Sequence, residues 1–137
     1  MLSPDAKARV EAHFRALPAG LKLATATEEQ LRAFERQFGP IPEDYRWLLL
    51  TCGGGVIGSE HLDDVKDLPR SHAKFQREAG AAGWQMKDVF IIGWDGFGNP
   101  FGIELTTNRV LVEDHNFGGI HELNSSFADF LVKRCWI

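Results

Sequence analysis

The chain has 137 residues, 44% of them hydrophobic and 25% charged, the proportions of one ordinary water-soluble domain. A domain of this length buries roughly 70% of the surface that its unfolded chain exposes, enough for a sizeable core. A formal charge of −4 and a pI near 5.7 argue against a general nucleic-acid binder, which needs a basic surface, and leave room for a basic partner.

In chain order, the first twenty residues read as a helix. Ser3 caps it, Pro4 suits the first helical position, and Val10, Phe14 and Leu17 share one face before Pro18 and Gly20 end it. This segment carries charges throughout and has no apolar core, so it is not read as a secretory signal. No run anywhere approaches the 18 or so apolar residues of a membrane span, and a cytoplasmic protein is expected. A second helix opens at TEEQ, where Thr27 and Gln30 have the spacing of a capping box; Leu31, Phe34 and Phe38 form its apolar stripe, and Gly39 with Pro40 stops it. A third begins in IPEDYRWLLL. Pro42 stands at its start, Glu43 and Asp44 favour the positive end of the helix dipole, and Tyr45, Leu48 and Leu49 point one way until the glycines at 53, 54 and 55.

Residues 56–85 are less regular. VIGSEHLDDVKDL suggests a short strand and a turn, and PRSHAKFQREAG a helix from Pro69 with a stop at Gly80. From Val89 the pattern changes to period two or continuous β-branched runs: VFIIG, PFGIEL and RVLVED. TTN supplies a turn between the last two, with Asn108 tolerant of positive φ. NSSFADFLVKRCWI closes the chain as a helix capped by Ser125 or Ser126, with Phe127, Phe130 and Leu131 on one side. Helices, then consecutive strands without crossover helices, then one helix: this order predicts an α+β domain, an antiparallel sheet of about four to six strands flanked by helices.

The segment IIGWDGFGNPFGIEL looks most like chemistry. As a dinucleotide loop it fails, because the third glycine of the pattern falls at Phe101 and a strand rather than a helix follows. As a calcium loop it places Phe97 at the third ligand position and Thr106 at the twelfth. It reads instead as a connection between neighbouring strands, in which Gly96, Gly98 and Asn99 supply unusual backbone angles and Asp95 satisfies loose N–H groups.

Asp114 and His115 suggest a base with an orienting carboxylate, but adjacent strand residues face opposite ways, so a surface or turn-stabilising role is expected. His61, Asp63 and Asp64 in EHLDD, with His72, His115 and His121 elsewhere, show no metal-ligand spacing; a solvated acidic loop is expected. There is no GxSxG. Cys52 falls at a helix C-terminus, where the dipole disfavours a thiolate, and reads as a packed small residue. Cys52 and Cys135 form no CxxC pair; two reduced thiols are expected, with a disulfide between them as the alternative. Of the four tryptophans, Trp47 reads as core or near-core; Trp84, Trp94 and Trp136 sit at element ends, where an indole is half exposed, with core packing still the default reading for each. Exposed beside Glu60, Asp63, Asp64, Asp67, Glu113 and Asp114, they would form an aromatic and acidic surface of the kind found at protein interfaces.

Four motifs in order, IPEDYRWLLLTCGGG, VFIIGWDGFGNPFGIEL, RVLVEDHNFGG and SSFADFLVK, resemble those of the SMI1/KNR4 (SUKH) family over roughly residues 27–133. Asn99 stands where that family commonly has aspartate, and Cys52 where a polar residue usually precedes the glycines. Residues 1–26 are then an N-terminal helical extension packed on an SMI1/KNR4-like domain of residues 27–137, one globular unit overall. The resemblance implies a protein-binding domain without established catalytic activity. Many bacterial members resemble immunity proteins that neutralise a toxin, often a nuclease, and fungal relatives act as scaffolds. The expectation is a cytoplasmic, non-catalytic immunity protein with a toxin domain as partner, no cofactor, no metal, no direct nucleic-acid contact and no membrane association. Negative charge suits a basic toxin.

The candidate partner-binding residues are Glu60, Asp63, Asp64, Asp67, Trp94, Phe97, Glu113 and Asp114, while Asp95, Gly96, Gly98 and Asn99 form a structural motif. The alternatives are a hydrolase or metal-dependent enzyme using Asp95, Asp114 and His115, and a regulatory scaffold acting as a stable homo-oligomer.

Overall fold

A computed structural model describes residues 1–135; the expectation for Trp136 lies outside the described residues. The elements are α1 (Pro4–Arg15), α2 (Glu28–Phe38), α3 (Glu43–Thr51), β1 (Gly55–Ile57), β2 (Glu60–Leu62), α4 (Leu68–Glu78), β3 (Val89–Trp94), β4 (Pro100–Glu104), β5 (Val110–Asp114), β6 (Gly119–Asn124) and α5 (Phe127–Cys135). The fold is α+β, with a four-stranded antiparallel sheet in the order β3-β4-β5-β6 and a separate β1-β2 hairpin. No helix among the described residues is long and apolar enough to cross a membrane.

Local chemistry sets the helix ends. Ser3 Oγ accepts from the Ala6 N–H at 3.1 Å, and Thr27 and Gln30 exchange the reciprocal bonds of a capping box at 3.1 and 2.9 Å. Gly39 ends α2 at φ 99°. Of the two serines before α5, Ser126 does the capping, its hydroxyl accepting from the Asp129 N–H at 3.0 Å. The first helix stops at Arg15, short of Pro18. Leu2, Ala6, Val10 and Phe14 from this region join the same buried cluster as Leu48 and Phe127.

The sheet buries both faces unequally. Phe90, Ile92, Phe101, Ile103 and Val110 face the main core with Leu31, Tyr45, Leu48, Phe127 and Phe130 from the helices. On the opposite face Ile91 and Leu111 meet only Phe75, Met86 and half-buried neighbours. Gly102, paired with Ile91 and Leu111, lies between them. A Cβ there would lie 2.2 Å from the Phe90 carbonyl oxygen. A bulge between Ile91 and Gly93 shifts the β3 register before the strand reaches Trp94.

The outer edge of β3 is covered by the β1-β2 hairpin and α4. Asp63 N–H donates to the Ile92 carbonyl at 2.8 Å, and His72 Nε2–H donates to the Ile91 carbonyl at 2.9 Å, burial holding the imidazole pKa below its usual value. The sheet's other edge, β6, was not anticipated from sequence, and residues 120–123 are all exposed.

The expected solvated acidic loop is corrected here. Asp63 and Asp64 are each only 8% exposed. Tyr45 donates its hydroxyl to the Asp63 carbonyl, and Ser71 donates to the Asp63 carboxylate. Asp64 Oδ1 accepts from the N–H groups of Lys66 and Asp67 at 3.1 and 2.9 Å, shaping the entry to α4. Asp67 pairs with Arg70, and Glu60 with Arg134 at 3.0 Å. Glu60 and Asp63 fasten the hairpin to α5, α3 and α4, whereas Asp64 and Asp67 bond locally at the start of α4.

Burial pushes the Asp63 carboxyl up from 3.8 to about 6. The folded state therefore binds the proton more tightly than the unfolded chain. This group's contribution is fully present below about pH 4 and is lost as pH rises through about 6. Asp63→Asn keeps an acceptor for Ser71 without the charge. Its stability relative to the parent is expected to rise between about pH 4 and about pH 7, by up to about 3 kcal/mol, in urea melts; a constant difference across that range contradicts the assignment. Gly102→Ala is expected to lower stability by about 3 kcal/mol in the same assay, because the added methyl meets backbone that cannot move aside.

Candidate functional site

Antiparallel order brings the β3–β4 and β5–β6 turns to the same end of the sheet. The first turn is organised by Asp95. Its Oδ1 accepts from the N–H groups of Phe97 and Asn99, both at 2.9 Å, and its Oδ2 accepts from the Asn99 amide nitrogen at 3.1 Å. Gly98 takes φ 82°. Gly96 and Asn99 do not use the left-handed region expected of them, because two aspartate-bound amides and one glycine suffice to reverse the chain.

Asn99 is only 1% exposed. Its Oδ1 accepts from the His115 backbone N–H at 3.1 Å and from the His115 ring Nδ1–H. The chain Asp95–Asn99–His115 thereby fastens one turn to the next. Asp114 organises the second turn as Asp95 organises the first: its Oδ1 accepts from the N–H groups of Asn116 and Phe117 at 2.8 and 3.0 Å. With both polypeptide reversals held from below, Phe97 and Phe117 project outward, 81% and 78% exposed.

The segment after α4 forms the opposing wall. Trp84 Nε1–H donates to Glu78 Oε1 at 2.9 Å, and the indole packs at 5.9 Å from the Trp94 ring and 6.1 Å from His115. A Cβ on Gly83 would overlap the Glu78 carbonyl oxygen at 1.6 Å, so this tight turn requires glycine. Glu113 attaches the wall to the sheet: 7% exposed, it accepts from the Gln85 N–H at 2.8 and 3.0 Å and from the Met86 N–H at 2.8 Å. Between the walls lies an open groove of about 1000 Å³, lined by Glu78, Trp84, Phe97, Glu113, Asp114 and His115 among several glycines.

The structure brings part of the expected set together. Phe97, Glu113 and Asp114 line the groove, and Trp94 supports it from behind Trp84. Glu60, Asp63, Asp64 and Asp67 lie outside it, engaged in the contacts described above. Glu113 is buried rather than surface acid, because two backbone donors draw its carboxylate inward. Trp94 is half-buried under the Lys74 ammonium, 4.1 Å from the ring centroid. Phe117, Glu78 and the link from Asn99 to His115 were missed. The string DHNFGG carried a signal, since an acid followed by two glycines marks a turn and therefore a further strand.

The three groups of the enzymatic alternative do not converge. Asp114 and His115 line the groove and Asp95 does not, and both aspartates hold turn amides. Among the described residues no group of three or more His, Cys, Asp or Glu has a metal-holding arrangement. Cys52 and Cys135 are unbridged; burial pushes their thiols up to about 12 and about 11, which keeps them protonated.

The family model of the SMI1/KNR4 family (SUKH-1) matches residues 25–133, a span that holds both fastened turns and the wall facing them. No curated protein sequence matches the chain. The match covers most of the chain and agrees with the α+β architecture and the antiparallel sheet: the chain belongs to the SMI1/KNR4 family (SUKH-1).

Proposed function

We propose that this domain is a non-catalytic, cytoplasmic binding protein of the immunity type, which neutralises a toxin by direct contact. One observation carries the reading: two phenylalanines more than three-quarters exposed, on neighbouring turns whose backbones are held by side-chain hydrogen bonds. Large apolar side chains in water favour being covered. Turns that are already ordered lose little freedom when a partner covers them, so most of the contact energy appears as affinity. Membership of a family that includes immunity proteins supports the same reading.

Within this reading Phe97, Phe117 and Asp114 contact the partner. Trp94 and Glu113 hold the groove in shape, and Glu60, Asp63, Asp64 and Asp67 keep their structural roles. Asp95 and Asp114 serve turn geometry, which favours a binding surface over a reactive centre.

Co-expression with the proteins encoded beside this chain tests the proposal. One of them is expected to be toxic alone, to co-purify with the chain and to be harmless in its presence. The double variant Phe97→Ala, Phe117→Ala is expected to stay folded by circular dichroism and to lose affinity at least about tenfold, as for anchors central to an interface. Toxicity unaffected by the chain would falsify the immunity role, and unchanged affinity of the double variant would remove the two phenylalanines from the interface.

A further inference from the structure

We propose that the groove between the two walls receives an arginine side chain of the protein partner, stacked on Trp84 and paired with Glu78 and Asp114. This rests on the binding reading above and names the chemistry of the partner at that surface.

The charge balance of the groove points to a cation. Glu78, Glu113 and Asp114 line it, and no Lys or Arg does. Asp63, Asp64 and Asp95 take neutral donors elsewhere in the chain, but other acids pair with its own cations: Glu104 with Arg109 at 2.8 Å, Glu28 with Arg46 at 2.8 Å, Glu60 with Arg134 at 3.0 Å. The three groove carboxylates instead take neutral donors: the Trp84 indole N–H on Glu78 and backbone amides on Glu113 and Asp114. Neutral donors orient a carboxylate and leave its charge in place. Concave walls of low dielectric concentrate the resulting field.

The carboxylates also differ in what they still offer. Both oxygens of Glu113 are taken, so it contributes charge from the floor. Glu78 uses Oε1 and Asp114 uses Oδ1, which leaves Glu78 Oε2 and Asp114 Oδ2 for a ligand.

An aromatic surface lines the same groove, its indole N–H on Glu78. Trp84 is half-buried, and among the described residues no cation stands over its ring, whereas the neighbouring Trp94 already carries Lys74 at 4.1 Å. A guanidinium suits this combination better than an ammonium: it is planar and weakly hydrated, it stacks on indole, and its fork of donors reaches two carboxylates at once. The glycines at 80, 83, 98, 118 and 119 keep side chains out of the space the arginine would occupy. Other occupants fit poorly. Nucleic acid is repelled by three carboxylates, and an apolar peptide would bury Glu78 Oε2 and Asp114 Oδ2 without partners.

The test uses a defined probe, the peptide acetyl-Gly-Arg-Gly-amide, against its isosteric citrulline analogue, which lacks the charge. Titrated into the ¹⁵N-labelled full chain, the arginine peptide is expected to shift the Trp84 indole N–H and the Gly98 and Gly119 amides saturably, with the citrulline peptide at least about tenfold weaker. Glu78→Gln and Asp114→Asn keep the acceptors that hold Trp84 and the second turn; combined, they are expected to abolish the arginine response with the remaining spectrum unchanged. Equal responses to the two peptides, shifts scattered over the surface, or an undiminished response in the double variant would overturn the site. Failure of the two proposals is distinguishable. A partner that binds the Glu78→Gln, Asp114→Asn variant as tightly as the parent refutes the arginine site and leaves the immunity reading standing. Saturable arginine binding without any neutralised toxin does the reverse.

Discussion

The buried amide of Asn99 joins two hairpin turns that the sheet alone would leave independent. Its nitrogen donates to Asp95 and its oxygen receives two bonds from His115, so a single side chain reads both ends of the connection. A carboxylate at that position would lack the nitrogen donor and would place a second negative charge beside Asp95. Asparagine at this position makes the two turns one unit. Everything proposed for the exposed phenylalanines depends on that unit, since aromatic side chains on two loose turns would lose in ordering what they gain in contact.

The two faces of the sheet divide the work. The helix-covered face holds the continuous core and provides most of the hydrophobic stabilisation. The opposite face is thinly covered, and Glu113 reaches from β5 to anchor the backbone that covers it. A carboxylate bound by two amides is worth more than a neutral acceptor would be, and it needs no neighbouring cation. The fold thus places negative charge under its groove as a by-product of closing its second face.

The acids of this chain show that count and position are different quantities. The net charge of −4 is not spread evenly. Around β2 and α4, carboxylates are taken up by Arg134, Arg70, Ser71 and backbone amides. Around the groove they are held by neutral donors alone, with no arginine or lysine among the lining residues. A net charge therefore says little about a surface until the internal pairings are known.

Local signals were legible in the sequence because their physics is local. Caps at Ser3 and Thr27, the stop at Gly39, the turn around Asp95 and the positive φ of Asn108 depend on residues within five positions of one another. Strand β6 was not legible: Ile120 and Leu123 both remain exposed on an edge strand, so no alternation records a buried side. The acidic loop misled for the opposite reason. Asp63 and Asp64 look solvated until Tyr45 and Ser71, far from each other in sequence, converge on Asp63. The sequence by itself determined the family, through four motifs in order, and the α+β class and the turns at Asp95 and Asn108, through periodicity and short-range hydrogen bonding. Only the tertiary structure decided which acids are inside and which turns are fastened together, because both depend on side chains that meet across strands and are unrelated in sequence.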